Sequence, residues 1–336
     1  MRRQAAFRRS VPTALFLCAL PVGAIVLSLF FGRYAISPSD VLSALFRPSA
    51  VPHAVLVTVR QLRLPRALAA AFVGASLSAS GAAFQSVFRN PLVNSGILGV
   101  SNGAGFGACL AIVCFGSGFF TYALSFLFGA AAVVLSYFAG RIAKRNTVIM
   151  LILGGTIVSA FFAALVSLLK YIADPYSQLP AITFWLMGSF ASVGVPHLAA
   201  VIPMSLGMGL LFLCRRRIDV LSMGEREAAA LGVDVRLCSL LVIGGATLCT
   251  ASAVCISGTI GWVGLVIPHI GRMLVGSENA KLIPASISLG AGFLVVIDLL
   301  SRCLTGSEIP IGILCALIGT PFFVYLLKTR KGGGWL

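Results

Sequence analysis

The sequence predicts an all-α polytopic membrane protein of about ten transmembrane helices, on three observations. Hydrophobic residues make up 59% of the 336 and charged residues only 10%, where a soluble chain carries about 25% charged. Mean hydropathy is +1.03, and the apolar residues gather into runs near the roughly 20 that cross a bilayer as a helix. Lys and Arg cluster between alternate runs, the pattern that the positive-inside rule gives a multi-pass chain. No stretch is long and polar enough for a separate soluble domain, so residues 1–336 read as one transmembrane domain.

Arg2, Arg3, Arg8 and Arg9 precede an apolar run over 11–31. The run exceeds the roughly 7–15 residues of a signal-peptide core, so it is read as an uncleaved first span. Residues 32–61, with Pro38, Pro48 and Pro52, form an outside loop with short helices. A second span, 64–88, is rich in Ala, Gly and Ser, and Arg89-Asn90-Pro91 breaks it; small residues let membrane helices approach closely. Spans three, four and five follow over 97–116, 119–140 and 148–171, with Arg141, Lys144 and Arg145 in the loop before the fifth. An outside segment carrying Asp174, Pro175, Pro180 and Trp185 leads to span six, 195–214. Spans seven (237–257), eight (from 258, interrupted by Pro268), nine (282–300) and ten (311–327) complete the set. A turn at Glu308-Ile309-Pro310 separates the last two.

With the N-terminus inside, 18 of the 25 basic residues fall in inside segments and seven outside. That split places both termini and residues 215–236 in the cytoplasm, as in a bacterial or archaeal cytoplasmic membrane. The net charge of +16 is then a topology signal for a chain bathed in membrane lipid, and nucleic acid is not an expected partner. The nine cysteines show no CxxC pair or metal spacing and read as small hydrophobes. His53, His197 and His269 lie in different segments, so no metal site and no catalytic residues are expected. The sequence lacks GxxxxGK followed by Ser or Thr, and so has no P-loop to hold ATP.

Residues 215–236 are the polar exception. They hold nine of the 34 charged residues, four of the nine acidic ones among them. Ser222-Met223-Gly224-Glu225 reads as a capping box, with Ser222 at the N-cap and Glu225 at N3. Arg226 and Glu227 lead into Ala228, Ala229, Ala230 and Leu231, good helix formers, and Gly232 suits the left-handed position that ends a helix. A short capped helix between two spans is predicted, where a plain solvated loop would account only for Arg215–Arg217.

Three further patterns stand out: Arg63-Leu64-Pro65-Arg66, then Asn90-Pro91-Leu92 with Leu98-Gly99-Val100-Ser101-Asn102-Gly103-Ala104, and finally Gly264-Leu265-Val266-Ile267-Pro268-His269-Ile270 with Arg272. With the GEREAAALG helix, in this order and spacing, they resemble the FecCD/BtuC-type permease family of ABC importers for iron-siderophores, haem and cobalamin. The similarity runs over about 36–327. It implies the type II importer permease fold with an inverted repeat, of which Gly74-Ala75-Ser76-Leu77 and Gly245-Ala246-Thr247-Leu248 are faint echoes. It also implies a homodimer, two cytoplasmic ATPase subunits carrying ATP and Mg, and an extracytoplasmic substrate-binding protein. No cofactor is bound by the chain itself, and the chain is a transport subunit, not an enzyme.

The resemblance assigns Ser222, Gly224, Glu225, Arg226, Glu227, Ala228, Leu231 and Gly232 to the helix that couples to the ATPase. Arg63, Arg66 and Arg302 correspond to arginines that receive glutamates of the binding protein; snorkelling to head groups is the other reading. Asn146, Thr147 and Val148 match the inner gate. Asn90, Pro91, Gly264, Pro268, His269 and Arg272 belong to the structural motifs, with a half-helix bent at Pro268 expected near the pathway. Asp298 lies within a span, where a charge is costly unless paired, and reads as a hydrogen-bonded structural acid, a proton relay being the alternative. The implied cargo is a bulky iron(III)-siderophore, or haem or cobalamin by the same machinery. An ion-coupled secondary carrier would need more paired intramembrane acids than this chain offers.

Overall fold

Ten apolar helices dominate the computed structural model, which describes residues 2–141 and 148–329. Seven are long and apolar enough to cross a membrane by length and composition; Val100–Phe115, Val263–Val275 and Ile311–Tyr325 are shorter. The fold is all-helical. In order, α1 (Arg2–Phe30) is followed by α2 (Pro38–Phe46), a 3₁₀ turn at Pro48–Ala50 and α3 (His53–Val57). A π-helical turn, Thr58–Arg63, runs without a break into α4 (Leu64–Val87). Then come α5 (Val100–Phe115), α6 (Phe119–Arg141), α7 (Val148–Ile172), α8 (Gln178–Met187) and α9 (Val201–Leu221). The chain closes with α10 (Glu225–Ala230), α11 (Val235–Ser257), α12 (Val263–Val275), α13 (Asn279–Cys303) and α14 (Ile311–Thr329).

Local chemistry explains most of the ends. Ser37 caps α2 by accepting the Asp40 N–H at 3.1 Å, with Pro38 in the first turn, where its missing N–H costs nothing. Asp234 caps α11 through the Leu237 N–H at 3.0 Å. Between α7 and α8, Asp174 accepts from the Ser177 hydroxyl and from the backbone N–H groups of Ser177 and Tyr176. The Ser177 contacts hold this exposed carboxyl below its ordinary range.

The buried axis is α4. Of its apolar stretch 89% is buried against the rest of the chain, compared with 17% for α1 and 22% for α7 at the periphery. Small residues make that possible: a methyl group added to Gly74 would lie 2.1 Å from the Gly290 carbonyl of α13, and one on Gly81 would lie 1.9 Å from the Gly264 carbonyl of α12. Buried hydroxyls join the helices, Ser80 to Thr250 at 3.0 Å and Thr250 to the Ser95 carbonyl at 3.3 Å, the kind of polar contact that holds helices together in hydrocarbon. Outward-facing side chains such as Leu15, Phe138, Ile157, Phe161, Ile202 and Leu213 are large, apolar and exposed, as lipid contact requires.

Two spans differ from the sequence reading. The helix expected to end at 214 continues through the arginine cluster to Leu221. Leu211, Cys214, Ile218 and Leu221 are all buried; their spacing of three and four residues is one face of a helix, and it carries α9 past Arg215–Arg217. The break expected at Pro268 lies earlier, where Gly258 and Trp262 take φ of +67° and +68°, and α12 runs unbroken through Pro268. Proline removes the N–H that would satisfy the carbonyl four residues back. Here Gln85 of α4 supplies the missing donor: its Nε2 lies 3.2 Å from the Gly264 carbonyl and 3.3 Å from that of Leu265.

Candidate functional site

Polar side chains concentrate at two opposite ends of the bundle, one around α10 and the other around Arg66. At the first, α9 closes with Ser222, whose hydroxyl donates to the Asp219 carbonyl at 2.7 Å. Ser222 is therefore the C-cap of α9, not the N-cap of the next helix, and the expected capping frame is corrected. The N-cap is Gly224, at φ +141°, a backbone conformation that a side chain would strain. Glu225 and Arg226 take N1 and N2, and Glu227, now at N3, folds back over the cap. A methyl group on Gly224 would sit 1.9 Å from Glu227 Oε2 and 3.1 Å from a guanidinium nitrogen of Arg89. The frame has slid two residues along a sequence that offers a Glu at both places.

The far end of α10 is as expected. Gly232 stands at φ +80°; its N–H donates to the Ala229 carbonyl at 3.0 Å, and the Val233 N–H reaches Ala228 at 3.0 Å. These two bonds make a Schellman motif. Ala228 is fully buried against the main core, while Met223 and Leu231 are 62% and 64% exposed and Glu225, Arg226, Glu227, Ala229 and Ala230 also face outward. So α10 is a short rod, pinned by one methyl group and offering a mixed apolar and charged surface to the outside.

Close by, α4 ends in the same motif with a different residue. The Asn90 N–H donates to the Gln85 carbonyl at 3.1 Å and the Arg89 N–H to Ser86 at 3.3 Å. Arg89 occupies the left-handed position, at φ +47°, that glycine usually fills. Asn90 then folds its side chain onto the Leu92 N–H at 2.9 Å, turning the chain at Pro91. One turn inside, Gln85 Oε1 accepts from the Arg272 guanidinium, so Gln85 and Arg272 together fix α12 around Pro268. His269 is buried on the same helix, as is Gly264.

At the opposite end, Arg66 is the hub. Its Nε donates to Asp298 Oδ1 at 2.8 Å, and its two terminal nitrogens grip both oxygens of Glu308 at 2.9 and 3.0 Å. This two-pronged fit is the strong form of a guanidinium–carboxylate pair. Arg302 approaches Asp298 Oδ2 at 3.5 Å and donates to the Ser28 carbonyl at 2.9 Å and to the Ser28 hydroxyl. Arg63 donates to the carbonyls of Leu29, at 2.7 Å, and Tyr34. Arg60 likewise reaches the carbonyls of Ala44 and Leu45, each at 2.7 Å. The π-helical turn thus aims two arginines, three residues apart, at the unsatisfied last carbonyls of α1 and α2.

The three arginines of the expected docking set are thus held by partners within the chain. Arg63, Arg66 and Arg302 are 4%, 8% and 6% exposed, because the chain's own carbonyls and carboxylates use their N–H groups. Asp298, fully buried, is paired with two of them. Of the expected inner gate, Asn146 and Thr147 lie outside the described residues and Val148 opens α7. Sequence reasoning missed Gln85, Arg89 and Glu308. A lone amide in a small-residue span facing a proline helix was the available signal for the first; the other two are set by contacts far apart in sequence.

Comparison with known proteins agrees with this architecture. The family model described as the FecCD transport family matches residues 19–329. A molybdate import system permease protein, MolB, of Haemophilus influenzae is 44% identical over 97% of this chain and 98% of its own length. A probable iron chelatin transport system permease protein of Helicobacter pylori is 39% identical over 82% of this chain and 84% of its own. Among solved structures, an inward-facing conformation of a metal-chelate type ABC transporter superposes with a TM-score of 0.84 at 41% identity, covering 95% of this chain and all of that one. The chain belongs to the FecCD transport family: it is a multi-pass membrane permease of the ABC-importer kind.

Proposed function

We propose that this permease moves a metal-bearing anion or chelate into the cytoplasm by alternating access, driven by ATP that separate ATPase subunits hydrolyse. The single observation that carries the reading is α10, a rigid helix with an outward-facing surface on a chain that lacks a P-loop of its own. A rod held at both ends transmits displacement, where a frayed loop would absorb it. The working unit in this reading is two copies of the chain, two ATPase subunits docked on the α10 surfaces, and an extracytoplasmic binding protein at the Arg66 end. The 18 to 7 distribution of basic residues supports that orientation, with α10 and both termini on the cytoplasmic side.

For cargo, molybdate is the first reading, on the identity to the Haemophilus protein over nearly the full length of both chains. An iron(III) chelate is the second, on the Helicobacter relative. Binding-protein affinity and uptake separate them. Reconstituted with its cognate ATPase and binding protein, the permease is expected to accumulate radiolabelled molybdate with ATP inside the reaction compartment, and excess iron chelate is expected not to compete. Uptake of iron chelate with no uptake of molybdate would reverse the order.

A further inference from the structure

Three polar contacts at the α10 end are not needed to fold any single helix. The Asp219 carboxylate, on α9 five residues before the N-cap of α10, accepts from the Asn279 backbone N–H at 2.7 Å and from the Asn279 side-chain amide at 2.8 Å. Asn279 opens α13, and its side-chain amide oxygen, Oδ1, accepts from the Ser86 hydroxyl of α4 at 2.8 Å. Asn279 is only 2% exposed. The same Asp219 holds the α9–α10 junction through its backbone carbonyl, which takes the Ser222 hydroxyl. One residue therefore ties the root of α10 to the first turn of α13 and, through Asn279, to the end of α4.

The second tie is Arg89. It sits in a left-handed conformation that costs a non-glycine residue on the order of 1 kcal/mol, at a position where glycine would end α4 without that cost. Its guanidinium lies beside the N-cap of α10, where a methyl group on Gly224 would come within 3.1 Å of it. Backbone economy does not account for an arginine here; a long side chain packed beside the N-cap of α10 does.

We propose that Arg89, Asp219 and Asn279 are positioning residues that fasten α10 to the α4–α13 pair, so that displacement of α10 moves those helices as one body. The pair is suited to that task. Gly74 and Gly290 pack backbone to backbone in its middle, and Arg66 and Asp298 lock its far end. Motion received at α10 is thereby delivered, across the whole length of α4, to the cluster around Glu308.

This inference rests on the coupling role proposed for α10, and the experiment separates the two. The complete complex, permease with ATPase and binding protein, is assayed for cargo transported per ATP hydrolysed, with thermal midpoints measured alongside. Arg89→Gly is expected to keep or raise the midpoint, since it relieves the left-handed residue, yet to lower the cargo-to-ATP ratio tenfold or more. Asp219→Ala should lower the ratio similarly, and Asp219→Asn, which keeps an acceptor oxygen, should restore most of it. A purely structural role would move the midpoint and leave the ratio alone. A ratio within twofold of wild type in Arg89→Gly and Asp219→Ala overturns the inference while leaving the coupling role of α10 intact. A wild-type complex with no ATP-driven uptake overturns both. If Asp219→Ala does not assemble, Arg89→Gly decides the matter by itself.

Discussion

Replacing Ala228 by leucine is expected to cut ATP-driven uptake sharply while the permease still inserts and binds lipid. Ala228 is fully buried between α10 and the bundle, so extra methylenes there must lift the helix off its seat. Overpacking of this kind costs about 1–3 kcal/mol, which lowers the ratio of seated to unseated helix by roughly 5- to 140-fold at tenfold per 1.4 kcal/mol. A pair of proline substitutions sharpens the same test. Glu225 is the first residue of α10, where proline is tolerated, so Glu225→Pro should transport nearly as wild type. Ala229→Pro removes an interior N–H and costs about 3 kcal/mol, enough to unwind a helix of six residues. Uptake by the two variants, at matched ATPase loading, checks the capping frame directly. Equal loss in both would return the N-cap to Ser222.

Asp298→Ala is the substitution with the largest expected cost to stability. It leaves Arg66 and Arg302 buried with their shared carboxylate gone, and breaking a buried pair by removing one partner costs about 3–5 kcal/mol. A drop of roughly 5 °C in the midpoint of the solubilised protein is the expected size. Glu308→Gln, at the half-buried outer edge of the cluster, should cost much less, because Arg66 keeps Asp298 and an amide oxygen. These measurements also separate a structural acid from a proton relay. Asp298→Asn in a relay would abolish uptake at unchanged midpoint; here uptake and midpoint are expected to fall together.

Hydropathy was enough to find the ten apolar helices, because runs of 15 to 25 residues without charges have few other solutions. Where the reading slipped, two local solutions fitted the same letters. Ser222-Met223-Gly224-Glu225 and Gly224-Glu225-Arg226-Glu227 both place a Glu three residues after a capping residue, and only the burial of Ile218 and Leu221 decides that α9 has not yet ended at Ser222. Pro268 announces a broken helix unless a donor repairs it, and the donor, Gln85, is more than 170 residues away. Arg66 and Glu308 are separated by 242 residues. A reading of neighbouring letters cannot pair charges so far apart, nor see that Arg63 donates to the Leu29 and Tyr34 carbonyls.

The central claim is that motion of this permease is driven through α10 by a separate ATPase, and energy source tests it most directly. Cargo uptake is measured in vesicles holding the permease with or without its ATPase, with binding protein outside, and with either ATP or an imposed proton gradient. Uptake should require ATPase, ATP and binding protein together, and a proton gradient should neither replace ATP nor add to it. Accumulation driven by the gradient in vesicles that lack the ATPase would contradict the account.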